Sequence, residues 1–298
     1  MLDYPSLEAV AAVVREGSFE RAARVLNVTP SAISQRVKQL EERLGSVLIV
    51  RGQPCTPTDT GRRLCSHMEQ VGLLEQELRG ALPKLVQAGK DTGRVTLRVA
   101  VNADSLGTWF MRALAQFTAR EDALIDAALD DQDHTVEWLR SGKVLAAVTA
   151  HAKPVQGCNS VTLGRLNYVA VASPRFVERY FSNGVTAASL AKAPCLRFNR
   201  KDRLQAQWAR RICRRDVEIP THWFPSTHAF VDASVAGIGW GMNPVLLVRE
   251  HLDSGALVEL VPDRALAVPL FWQHTRLQVP VLSRLTRAVV QAAHVGLR

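Results

Sequence analysis

The stretch TPSAISQRVKQLEERLG, residues 29–45, decides how the first part of this chain is read, because its two faces differ in kind. Ile33, Val37, Leu40 and Leu44 recur at spacings of four, three and four. At about 100° per residue they form one apolar stripe. Ser31, Ser34, Gln35 and Lys38 fall within roughly 100° of arc nearly opposite that stripe. A face that is merely solvated is more often filled with Glu and Lys. Two short hydroxyls, one amide and one ammonium instead make a face whose backbone can come close to another surface. Thr29 is the expected N-cap, and Pro30 sits at the first helical position, where its missing N–H costs nothing.

Two short helices precede this one. PSLEAVAAVVREG is apolar at Leu7, Val10, Ala11 and Val14, and Gly17 ends it. SFERAARVLN follows, with Ser18 as its expected N-cap and with Ala22 and Ala23 small enough to let another helix approach closely. Only Asn27 and Val28 separate it from residue 29, a tight connection that fits helix-turn-helix geometry. The β-prone run Val47–Val50 is broken by Arg51 and Gly52, and Cys55–Thr56 can return beside it as a small wing. From Thr58 a long helix is predicted, with Leu64, Met68, Val71, Leu74, Leu78 and Leu82 at spacings of 4, 3, 3, 4 and 4. So regular a stripe predicts a two-helix interface and hence a homodimer, packing within one chain being the other reading. Pro83 ends this helix, and VQAGKDTG reads as a hinge.

From residue 94 the pattern changes to alternating strands and helices. VTLRVAVN, ALIDAALDD and VLAAVTA read as strands separated by the helices SLGTWFMRALAQFTAR and HTVEWLRSG. A second set begins at LNYVAVAS and runs through PRFVERYF, APCLRFN, LQAQWARRI, HAFVDASVAG and VLLVREHLDSG. The alternation predicts parallel sheets covered by helices in a two-lobed α/β body, with the C-terminal helix LSRLTRAVVQAAHV returning to the first lobe. A ligand cleft is expected at the carboxyl ends of the strands. The expected division is a winged helix-turn-helix at 1–57, a linker helix and hinge at 58–90, and the two-lobed body at 91–298. Lobe I takes about 91–165 and 268–298, and lobe II about 166–267.

Bulk composition narrows the classes further. The 298 residues, 47% hydrophobic, suffice for two domains with real cores. No apolar run approaches the ~18 residues a membrane span needs, and the acidic N-terminus MLDYPSLE is not a secretory signal, so a cytoplasmic location is expected. Five scattered cysteines in no CxxC spacing argue against both a disulfide framework and a metal site. The net charge of +9 does not by itself locate a nucleic-acid site: residues 1–90 hold 12 basic against 10 acidic residues, and 91–298 hold 25 against 18. Eight of those bases lie in RFNRKDRLQAQWARRICRRD, 197–216, which reads as a solvated basic surface, contact with DNA or an anionic partner being the other reading.

The major groove of B-DNA admits one α-helix, and its base edges offer donors and acceptors. Ser31, Ser34 and Gln35 suit that approach, Lys38 can reach a phosphate or a guanine edge, and Arg51, Arg62 and Arg63 are placed for phosphate contacts. SFERAARVLNVTPSAISQRVKQLEERLGSVLIVR followed by TPTDTGRRL resembles the N-terminal domain of LysR-type transcriptional regulators. The long helix and two-lobed remainder look like that family's linker helix and effector-binding domain, so the likeness spans essentially the whole chain. AVNADS (100–105), PRFVERYFSNGV (174–185) and FWQH (271–274) look like its arginine- and lysine-responsive branch, which includes regulators of basic amino acid exporters.

That resemblance implies double-stranded DNA as a partner, with Ser18 and Arg51 as further backbone contacts. Pro30 departs from the family, where glutamine is frequent and makes an additional groove contact. The likeness also implies a homodimer or homotetramer, RNA polymerase as a further candidate partner, no cofactor and no metal. For a basic amino acid effector the cleft needs donors for a carboxylate and an acid for a cation. The loop Ala103, Asp104 and Ser105 is the first candidate, Ser105 lying at a helix start that favours an anion. Thr149, Phe198 and Thr227 occupy further expected cleft positions, with Asp104 and Asp131 as the acids. His228 stands where related sequences commonly carry an acid, and a neutral imidazole there argues for a different effector. An enzyme is disfavoured by the lack of GxSxG, HExxH or a phosphate loop, and a transport binding protein by the lack of an export signal. An architectural DNA-binding protein with little effector response is the remaining alternative.

Overall fold

The computed structural model describes residues 3–81, 94–129 and 135–297. It opens with three helices, α1 (Tyr4–Glu16), α2 (Phe19–Val25) and α3 (Pro30–Leu44), followed by a two-stranded antiparallel wing, β1 (Ile49–Val50) and β2 (Thr56–Pro57). Their caps are those expected: Ser18 Oγ accepts from the Arg21 amide and Thr29 Oγ1 from the Ala32 amide. Gly45 ends α3 in the left-handed conformation that glycine adopts without a Cβ penalty. Leu7, Val10, Val13, Ala22, Ala23, Ile33, Val37 and Leu48 close a small core between the three helices and the wing. Leu44 does not join it; the last member of the predicted stripe is 45% exposed. The wing is clamped from two sides, because Glu41 Oε1 accepts from the Leu48 amide at 2.7 Å and Thr58 Oγ1 donates to the Val47 carbonyl at 2.8 Å.

The long helix α4 (Asp59–Ala81) leaves this core with Leu64 and Met68 packed against it. The helix then changes neighbours. Leu73 is buried in the main core of the two-lobed body, while Leu74 and Leu78 are 46% and 53% exposed. The regular stripe is thus divided: its first members serve this chain's own packing, Val71 is half-buried, and its last described members are open. Leu82, Pro83 and the stretch read as a hinge lie outside the described residues.

Lobe I is built on β3 (Val95–Val101), β4 (Ala123–Leu129) and β5 (Ala146–Thr149), with α5 (Ala103–Ser105) running through a π-turn at Leu106–Phe110 into α6 (Met111–Thr118), and with α7 (Thr135–Arg140). β3 pairs parallel with both β4 and β5, as alternation predicts. Two long strands then break the pattern. β6 (Cys158–Ala172) begins eight residues ahead of the expected LNYVAVAS and pairs antiparallel with β11 (Leu266–Thr275) along its length. β11 also pairs antiparallel with β5, so one seven-stranded sheet runs through both lobes. The expectation of purely parallel sheets is therefore corrected.

Lobe II adds α8 (Pro174–Phe181), α9 (Ala187–Leu190), β7 (Cys195–Arg197), α10 (Leu204–Cys213), β8 (Thr221–Trp223), α11 (Thr227–Val235), β9 (Gly241–Pro244), α12 (Val245–Asp253) and β10 (Val258–Glu259). β9 and β10 flank β6 antiparallel, while β7 and β8 form a parallel pair. The terminal helix α13 (Pro280–Gly296) returns to lobe I, burying Leu285, Val289 and Ala292 against α6 and its neighbours. Among the described residues no helix is long and apolar enough to cross a membrane, and no group of three potential metal ligands occurs. All five cysteines are free.

Candidate DNA-reading face and interlobe cleft

On α3 the apolar side is closed and the polar side is open. Ile33, Val37 and Leu40 are at most 5% exposed, whereas Ser31, Gln35 and Lys38 are exposed and Ser34 is half-buried. Ser31 Oγ shares a hydrogen bond with Thr29 Oγ1 at 2.9 Å, and Lys38 lies 3.6 Å from Glu42 in an exposed i,i+4 pair. Neither contact is strong enough to hold its group against a competing ligand, since exposed pairs are worth about 0–1 kcal/mol. Arg51 projects from the wing with its guanidinium 5.3 Å from the centre of the Phe19 ring. Arg62 stands in the first turn of α4, 3.7 Å from Asp59, and Arg63 beside it is exposed. Ser18 is committed to capping α2 and donates to Glu20 at 2.9 Å.

The second site lies between the lobes, a cavity of about 550 Å³, within the size range of small-molecule sites. Ala103, Asp104, Phe198 and Thr227 line it, four of the eight positions singled out from sequence. Ser105 and Thr149 are buried next to it without lining it, and Thr149 Oγ1 accepts instead from the His151 amide. His228 is exposed on α11 and does not line the cavity. Asp131 lies outside the described residues.

Asp104 is the centre of the arrangement. It enters from the start of α5 in lobe I, yet both of its oxygens are held from lobe II: Tyr168 Oη donates to Oδ2 at 2.8 Å and Thr227 Oγ1 to Oδ1 at 3.1 Å. Burial pushes its pKa above the ordinary aspartate value, the two hydroxyls partly offset this, and the nearby charge of Asp202 raises it again. A carboxylate so desolvated gains most from a cation that can enter beside it.

Asp202 is one of several residues that sequence reasoning left out. It lines the same cavity and organises the loop after β7, accepting from the Phe198 and Leu204 amides at 3.0 Å each and from Gln205 Nε2 at 3.2 Å. Arg200, Lys201 and Arg203 line the cavity from that loop. The basic run at 197–216 is therefore not one solvated surface. Its first part faces the cleft, while its later part serves α10, where Arg211 Nη1 donates to the Ala265 carbonyl at 3.2 Å. A usable signal existed, because the loop follows directly on the carboxyl end of a strand, where α/β proteins place their ligands. Tyr168 and Asn243 gave no such signal, being core-like residues on strands whose inner ends open into the cleft.

Comparison with known proteins agrees with this architecture. Residues 5–62 match the family model described as bacterial regulatory helix-turn-helix protein, lysR family, and residues 90–294 match that of the LysR substrate binding domain. The chain is 43% identical over 293 residues to the HTH-type transcriptional regulator ArgP of Pseudomonas fluorescens, covering 98% of this chain and 97% of that one. It superposes on the crystal structure of ArgP from Mycobacterium tuberculosis with a TM-score of 0.86 at 44% identity, covering 100% and 99% of the two chains. It also superposes on full-length LysG from Corynebacterium glutamicum with bound effector Arg, with a TM-score of 0.76 at 36% identity over 100% of each chain.

Proposed function

From the premise that this chain belongs to the LysR family of transcriptional regulators, on its ArgP/LysG branch, we propose that it is a sensor of a basic amino acid, L-arginine or L-lysine, acting on the gene of an amino acid exporter. The observation that carries the effector reading is the charge pattern of the cleft. Two carboxylates, Asp104 and Asp202, and three cationic side chains, Arg200, Lys201 and Arg203, border one cavity. A basic amino acid presents the complementary set: two cationic groups, one at each end of a flexible chain, and one carboxylate. The LysG relative solved with bound Arg supports the same class.

The DNA side of the proposal assigns base or phosphate contact to Ser31, Ser34, Gln35 and Lys38, and backbone contact to Arg51 and Arg62, with Ser18 adding only what its capping role leaves free. Self-association through the open end of α4, with Leu74 and Leu78 at its centre, completes the reading as a homodimer or higher assembly. The effector acts by binding one arrangement of the lobes more tightly than another. A gel-shift series against the promoter of the adjacent gene, with and without L-arginine and L-lysine, tests both halves. The expected result is a sequence preference over random duplex and a ligand-dependent change of complex. Equal affinity for random duplex would refute the regulator's operator reading, and indifference to both amino acids would refute the effector class.

A further inference from the structure

We propose that lobe I carries a second ligand site, in the groove between α6 and α13, for a small polyanion of the phosphate class. The groove encloses about 530 Å³ and shares no lining residue with the interlobe cleft. Arg112, Arg120, Arg284 and Arg287 line it, against a single carboxylate, Glu121. That carboxylate is already taken: Arg284 Nε lies 2.6 Å from Glu121, and Arg284 Nη2 lies 3.5 Å from Glu77 of α4. Among the described residues Arg112, Arg120 and Arg287 have no carboxylate within ion-pair distance. Three unneutralised guanidinium groups around one concavity concentrate positive potential there, and the planar guanidinium fork matches phosphate oxygens two at a time.

The number of cations narrows the ligand. Arg112 lies in the first turn of α6, Arg120 two residues past its end and Arg287 on α13. Three guanidinium groups from two sides carry more positive charge than one phosphate group neutralises, so the groove suits a molecule with two or more anionic groups, such as a pyrophosphate or a nucleoside polyphosphate. Phe117 forms an apolar wall of the groove. Because Arg284 also holds Glu77, an anion that draws Arg284 into the groove competes with the attachment of α4 to lobe I.

The test is a titration of the full chain with inorganic pyrophosphate, read by thermal shift and calorimetry against sodium chloride at matched ionic strength. Wild type, the variant R112Q/R120Q/R287Q and the variant A115W, which fills the groove without changing charge, are compared, and stabilisation by L-arginine serves as the control for an intact fold and cleft. Saturable stabilisation of wild type, weakened tenfold or more in both variants with the arginine response unchanged, is expected. No saturable effect beyond chloride overturns the proposal. Equal binding by the triple variant places the anion elsewhere, at the DNA-reading face for instance, and also overturns it. Loss in the triple variant with full binding by A115W means diffuse attraction without a groove, which is again fatal. Failure of the arginine control alone bears on the cleft reading and leaves the pyrophosphate result standing.

Discussion

Asp104 shows how much one side chain decides here. Burial raises its pKa above the ordinary aspartate value, and a cation that enters beside it would lower it again. An acid raised in the folded state contributes stability below its unfolded pKa and loses it as pH rises through the folded value. The stability of the ligand-free protein should therefore fall slightly as pH rises above the ordinary aspartate range, while affinity for L-arginine rises over the same window. Calorimetric titration across that window checks the second trend, and Asp104→Asn should flatten it. At neutral pH the same substitution should weaken L-arginine at least tenfold, because it leaves a buried ligand cation without its charge partner. Gln35→Ala is the matching change on α3. It should cost about 1–3 kcal/mol of operator affinity if the amide reads a base, with little change in melting temperature, since Gln35 is exposed. Legibility at this scale was uneven for a physical reason. Asp104 announces itself beside a helix start, whereas Asp202 is hidden in a run of bases whose charge outvotes it. His228 stands in the place that related sequences fill with an acid, which suggests the cleft, but it lies one position past Thr227, is exposed and does not line the cavity.

At the scale of elements, a helix is legible when its surroundings are one-sided. α1 to α4 each present one apolar face and a cap, and their limits could be read within a few residues. The long strands could not, because breakers interrupt them: Gly164 lies within β6 and Pro269 within β11. The structure puts the two breakers at the same place, with Leu270 opposite Gly164 and Pro269 opposite Arg165, beside a shift of register. Gly164 has φ +134, and a Cβ there would come 2.9 Å from both Cβ and O of Leu297. Gly164→Ala should therefore lower stability by about 1–3 kcal/mol through strain and crowding at the strand crossing, measured by chemical denaturation. The stripe on α4 was read as a single interface, yet a helix passing between two bodies can serve each in turn. Its open part supplies the test: Leu74→Glu with Leu78→Glu should convert the assembled form to monomer in light scattering, while the far-ultraviolet dichroism of the chain is retained. An unchanged mass would remove α4 from the interface.

At the scale of the whole molecule, the proposed function asks how a ligand between the two lobes would reach a helix assigned to DNA reading. α4 connects the two regions, and it is fastened to lobe I as well as to the N-terminal core. Ser66 Oγ donates to the Gly142 carbonyl at 3.0 Å, Glu77 Oε1 accepts from the Val281 amide at 2.9 Å, and Leu73 is buried in the lobe I core. Arg98 adds ion pairs to Glu69 and Asp126 at 2.9 and 3.1 Å, but with more than 40% of each side chain exposed they contribute little. The two hydrogen bonds and the buried leucine are the stronger ties. They hold α4 to the lobe that also supplies Asp104, so in the proposed mechanism a change in lobe arrangement would be passed to the helix as a rigid displacement. Ser66→Ala combined with Glu77→Ala should leave L-arginine binding within about threefold of wild type, since neither residue lines the cleft. Operator affinity without ligand should be equally preserved, because the N-terminal core and α3 are untouched. What should disappear is the coupling between them, worth typically about 1–3 kcal/mol in allosteric proteins. In the gel-shift series with graded L-arginine, the variant's complexes should stay in place while those of wild type move. A variant that still responds fully would mean that the signal passes by another route, through contacts between subunits instead of along α4 within one chain.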